Sequence, residues 1–71
     1  MTFQEALIAS GYTFQPECGC YCKEDSEGFL HSYLQDPEST GENNIWNYEK
    51  YYYNKQNGYD EFVTSKTFTL D

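Results

Sequence analysis

The sequence predicts an α+β fold: one short N-terminal helix packed on a small antiparallel sheet of three to five strands, ending in a C-terminal β-hairpin. Three observations predict it. Thr2 and Glu5 stand at capping-box spacing at the head of an apolar stripe, Phe3, Leu7 and Ile8. Residues 29–34 alternate with the two-residue period of a strand. Asn57-Gly58, the strongest short-range hairpin signal, separates two long runs rich in aromatic and β-branched residues.

The helix comes first. Gly11 sits where a C′ glycine ends a helix, which leaves barely two turns, too few to stand without tertiary support. "YTFQ" then reads as a short strand stopped at Pro16. "ECGCYCKED" is ambiguous between strand and loop, and "KEDSEG" is a turn. In "GFLHSYLQD", Phe29, His31 and Tyr33 lie on one face and Leu30, Ser32 and Leu34 on the other. The segment from Pro37 to Asn44 is a polar loop with no apolar anchor, and mobility is expected of it.

A two-residue turn at Asn57-Gly58 fixes a hairpin register. It pairs Gln56 with Tyr59, Lys55 with Asp60, Tyr53 with Phe62, Tyr51 with Thr64 and Glu49 with Lys66. That register gathers Ile45, Tyr51, Tyr53, Phe62, Phe68 and Leu70 on one face, and Trp46, Tyr48, Tyr52, Tyr59 and Val63 on the other. The first face holds the aliphatic residues, so it is expected to pack against the helix. The second, with Trp46, Tyr48, Tyr52 and Tyr59, is expected to face outward as a partner-binding surface, since Trp and Tyr are enriched at binding hot spots.

Size and composition bound the rest. The 71 residues make one domain, 1–71. Four Leu, two Ile and one Val are a thin aliphatic supply beside eight Tyr, five Phe and Trp46, so the core must be mainly aromatic. Twelve acids face four lysines and no arginine, for a net charge of −8. Such a chain lacks the cations that neutralise phosphates, which argues against direct nucleic-acid binding and against anionic membranes, and favours basic protein partners. No charged n-region leads into an apolar stretch, and the three cysteines lie within five residues instead of stapling distant loops, so the cytoplasm is the expected location.

Cys18, Cys20 and Cys22 stand at every second position. As a strand they share one face and serve as small hydrophobes beneath larger rings, reduced and metal-free. A structural zinc ion takes four ligands, with Zn–S ~2.3 Å. An extended segment spaces the Cα atoms of Cys18 and Cys22 ~13 Å apart, too far for three thiols to share one ion. The alternative, a small zinc-binding domain on Cys18, Cys20 and Cys22 with His31 as fourth ligand, therefore requires a bend at Gly19. A redox role stands as a third reading, although Glu17, Glu24 and Asp25 make the surroundings poor for a thiolate.

His31 is the only histidine and reads as a packed or surface imidazole; no phosphate loop, nucleophile elbow or calcium loop accompanies it. No cofactor and no catalysis are expected. The function expected from the sequence is that of a small acidic protein-binding or inhibitory accessory module of the kind mobile elements and phages encode. It would dock or self-associate through an aromatic face, or imitate nucleic acid in a partner's basic groove.

Overall fold

The computed structural model describes residues 2–70. It has the expected α+β architecture: helix α1 (Phe3–Ala9) followed by strands β1 (Thr13–Gln15), β2 (Cys20–Glu24), β3 (Phe29–Gln35), β4 (Asn44–Asn54) and β5 (Tyr59–Leu70). The strands form one antiparallel sheet in the order β1-β2-β3-β4-β5, an uninterrupted meander.

Local chemistry sets the helix. The Thr2 hydroxyl accepts from the Glu5 amide at 3.1 Å, and the Glu5 carboxylate accepts from the Thr2 amide at 3.0 Å, completing the capping box. At the other end the amides of Gly11 and Tyr12 donate to the carbonyls of Ile8 and Leu7. The helix buries Leu7 and lays Phe3 edge-on against Trp46, with ring centroids 4.9 Å apart. Phe3 also meets Tyr33 and Phe68 edge-on, at 5.6 and 6.0 Å. Edge-to-face packing of this kind adds about 0.5–1.5 kcal/mol per pair beyond area burial. Trp46 is 1% exposed, and its indole N–H donates to Asn44 Oδ1 at 3.0 Å, so the largest ring is buried without an orphaned donor.

The face assignment read from the sequence is corrected here. Trp46 points into the core, and Ile45 lies on the face the helix does not cover. The hairpin explains why Phe68 and Lys66 change sides relative to β4. The connection is a four-residue loop, 55–58, and Asn54 pairs with Tyr59. Asn54 Oδ1 accepts from the Gln56 amide and Asn57 Oδ1 from the Tyr59 amide, both at 2.9 Å, while the Gly58 amide donates to the Asn54 carbonyl. Gly58 has φ +75°, a left-handed conformation that glycine adopts without Cβ strain. Further along, the pairing jumps from Tyr51–Phe62 to Lys50–Thr64, which leaves Val63 without a partner as a β-bulge. One extra residue moves every side chain beyond it to the opposite face. Phe68 therefore stands opposite Trp46 and joins the core, and Lys66 stands opposite Tyr48 instead of Glu49.

The loop between β3 and β4 has an anchor that composition hides. The Ser39 hydroxyl donates to the Ile45 carbonyl and accepts from the Ile45 amide, both at 2.8 Å. Asp36 Oδ1 accepts from the Glu38 amide and Oδ2 from the Asn47 side chain.

Candidate functional site

Two regions of the sheet carry polar or reactive chemistry. The first lies on the helix-bearing face, beyond the reach of α1. His31 on β3 stands between Tyr48 on β4 and Asp25 in the β2–β3 turn. Its Nδ1 is 2.6 Å from Tyr48 Oη and its Nε2 is 2.8 Å from Asp25 Oδ2. A neutral ring with its proton on Nε2 satisfies both contacts: Nε2–H donates to the carboxylate and Nδ1 accepts from the phenol. Asp25 Oδ1 accepts in addition from the amides of Glu27 and Phe29. The bond from His31, reinforced by those amides, holds the Asp25 carboxyl below its ordinary 3.8. Burial, with Tyr33 and Asp25 nearby, pushes the Tyr48 phenol above its ordinary 10. A raised phenol is a weaker source of phenolate, the opposite of what a nucleophilic tyrosine needs. What the chain of contacts does is tie the β2–β3 turn to β4. Nothing in the sequence order marks this trio. Antiparallel pairing of Lys23 with His31, closed by a tight turn, is the one signal that brings Asp25 beside the imidazole.

Past this trio the hairpin runs free. Phe29–Tyr52 is the last β3–β4 pair, so Tyr53, Asn54 and their partners Asp60 and Tyr59 extend beyond the neighbouring strand. Tyr52, Tyr53, Tyr59, Phe62 and Val63 account for five of the seven large apolar side chains exposed among the described residues, with Tyr59 72% and Phe62 59% exposed. Of the four residues singled out as a binding face, Tyr52 and Tyr59 are on this exposed tip, Tyr48 is half-buried in the His31 trio, and Trp46 is core. Between the tip and the β2–β3 turn lies a cleft of about 300 Å³, walled by Glu24, Asp25 and Glu27 on one side and by Tyr52 and Tyr53 on the other, with Lys55 at its rim.

The second region is the cysteine segment on the face away from the helix. Strand β2 begins only at Cys20; Cys18 sits in the preceding turn. Gly19, with φ +72°, folds the chain back so that the Cα atoms of Cys18 and Cys20 are 5.3 Å apart and the two are joined as a disulfide. The expectation of three reduced thiols along one straight strand is corrected accordingly. Cys22 is free, with its Sγ 3.7 Å from Cys20 Sγ and 3.8 Å from Ser32 Oγ. His31 is on the other face, paired with Lys23, so the fold does not bring it to Cys18, Cys20 and Cys22 as a fourth ligand. Among the described residues no cluster of three or more His, Cys, Asp or Glu is arranged to hold a metal ion. Nor, among them, is any helix long and apolar enough to cross a membrane.

Comparison with protein-family models, with curated proteins and with solved structures returns no match.

Proposed function

We propose that the chain is a protein-binding module, an accessory or inhibitory protein that acts in the cytoplasm without catalysis and docks the aromatic end of its β4–β5 hairpin on a basic partner. The observation that carries this reading is the concentration of exposed Tyr and Phe toward the free end of the hairpin, beside the carboxylates of Glu24, Asp25 and Glu27. Exposed rings next to a cluster of carboxylates that outnumber the one lysine at the cleft rim suit a Lys or Arg side chain, which gains a carboxylate and an aromatic face together. A net charge of −8 steers such a partner in and repels nucleic acid and anionic membranes. The sequence pointed to the same kind of partner through a different set of rings; the tip replaces Trp46 and Tyr48 with Tyr53 and Phe62.

The test is a titration of the labelled protein with a short arginine- and tryptophan-containing peptide, followed by amide chemical shifts. Shifts should concentrate at 24–28 and 52–63 and shrink on going from 0.1 M to 0.5 M salt, as screening shortens the Debye length from ~10 Å. Shifts spread evenly over the sheet, or none, would remove this reading. Sedimentation of the free protein separates the case in which a second copy occupies the tip.

A further inference from the structure

We propose that Cys18, Cys20 and Cys22 form an intramolecular thiol–disulfide exchange site, in which the Cys22 thiol displaces Cys18 from Cys20 and turns a surface disulfide into an exposed surface thiol. The inference does not depend on the docking reading above.

Three observations carry it. A bridge and a free thiol are in contact, because Cys22 Sγ lies 3.7 Å from Cys20 Sγ. Cys20 is 7% exposed, so a thiol from solution does not reach the sulfur that Cys22 touches. Cys18, at the other end of the bridge, is exposed in the turn before β2. The three sulfurs thus run from surface through interior to a half-buried thiol.

The step balances without an external oxidant. Cys22 gives its thiol proton to solvent and attacks Cys20 Sγ as the thiolate. The Cys20–Cys22 bond forms as the Cys18–Cys20 bond breaks, and Cys18 leaves with the electron pair and takes a proton from water. Nothing is oxidised or reduced overall. A nucleophile already in contact with its target needs no bimolecular encounter, so the step is not limited by meeting a thiol from solution. The product forms with a local contraction of the strand, because disulfide Cβ atoms sit roughly 3.5–4.5 Å apart. Residues two apart in an extended segment share a face with Cα atoms about 6.6 Å apart. Disulfides span roughly 4.4–6.8 Å at Cα, so Cys20–Cys22 closes near the upper limit. The 5.3 Å spacing of Cys18 and Cys20 is closer to the middle of that range.

The full chain, oxidised with glutathione disulfide and freed of reagent, is pulsed with N-ethylmaleimide. It is then reduced, labelled with iodoacetamide and sequenced by mass spectrometry. One maleimide per chain is expected, with Cys18 carrying roughly three times the label of Cys22 or more, because the exposed thiol is trapped faster. Label on Cys22 alone, or on all three cysteines, overturns the proposal. Two variants hold it to account. Cys22→Ser should take no maleimide, and label on Cys18 there would mean that another route opens the bridge. Cys18→Ser should form the Cys20–Cys22 bond and also take none; two free thiols in it would show that the second bridge does not form.

Discussion

The two ends of the sheet are built from the same residue types and differ in what lies over them. At one end Trp46, Phe3, Tyr33 and Phe68 make a cluster of edge-on rings beneath α1. At the other, Tyr52, Tyr53, Tyr59 and Phe62 are exposed at and just before the overhanging end of the hairpin. Burial follows coverage. A seven-residue helix is about 10 Å long at 1.5 Å per residue, while the longest dimension of the molecule is 44 Å. One short helix can hide one end. What it leaves bare is a surface as rich in rings as the core itself.

The sharpest way to break this comparison is to remove the central ring. Trp46→Ala should cost about 3–5 kcal/mol, the range for deleting a fully packed aromatic, and in a chain of this size that is a large fraction of the total stability. Urea unfolding monitored by circular dichroism checks it. A loss below 1 kcal/mol would place Trp46 on the surface, and the two ends would have to exchange roles.

Deleting Val63 attacks the same end from a distance. The bulge turns Phe68 toward Trp46, so its removal should carry Phe68 and Lys66 to the opposite face and cost about 2 kcal/mol or more through lost core packing. The expected readout is a lower unfolding midpoint with weakened near-ultraviolet signal from Trp46. A Val63→Ala variant, which keeps the residue count, should be far milder.

These two changes mark where the sequence could be read and where it could not. The helix was legible because its signals are local: Thr2 and Glu5 cap each other within one turn. Strand β3 was legible because Phe29, His31 and Tyr33 alternate with Leu30, Ser32 and Leu34 well enough for a strand between turn signals on both sides. The hairpin was legible as a hairpin, but its register was not. Asn54 and Asn57 both bond their own backbone and open a two-residue turn into a four-residue loop, a competition between side chain and ladder that composition does not decide. Val63 carries no mark of a bulge, and the face of Phe68 depends on it. The cysteine spacing was visible, but Gly19 folds Cys18 back and a strictly extended reading misses that. The Asp25–His31–Tyr48 trio depends on three elements meeting, and no single stretch contains it.

That trio lies at the border between the covered and bare ends, and pH probes it. Asp25 has a lowered carboxyl, chiefly through His31 and then the Phe29 amide. A depressed acid contributes stability that is fully present above its unfolded value, near 3.8, and is lost as pH falls through the lowered folded value. Asp25→Asn should therefore lower the melting temperature at pH 5, with the gap to the unmutated protein closing by pH 2. A gap of equal size at both pH values would assign the effect to packing of the turn instead of to the carboxylate.

The smallest expected effect on stability belongs to the tip, and its smallness is the point of the comparison. Tyr59 and Phe62 are the two most exposed large rings, and they lie on opposite faces of the hairpin, Tyr59 on the overhang and Phe62 just before it. Tyr51 packs against Phe62 edge-on with centroids 5.9 Å apart, so the Phe62 ring has one aromatic neighbour to lose; Tyr59 pairs only with Asn54 across the ladder. Replacing both with Ser should cost on the order of 0.5–1 kcal/mol, as exposed positions with few partners do. The same double variant should weaken binding of the arginine- and tryptophan-containing peptide by roughly tenfold or more, since losing even one hot-spot ring costs about 2 kcal/mol. Stability and association then move independently, as they must if one end of the sheet holds the fold together and the other is free to bind. A double variant that binds normally moves the docking surface off the tip. One that melts as far down as Trp46→Ala shows that these rings are packed after all.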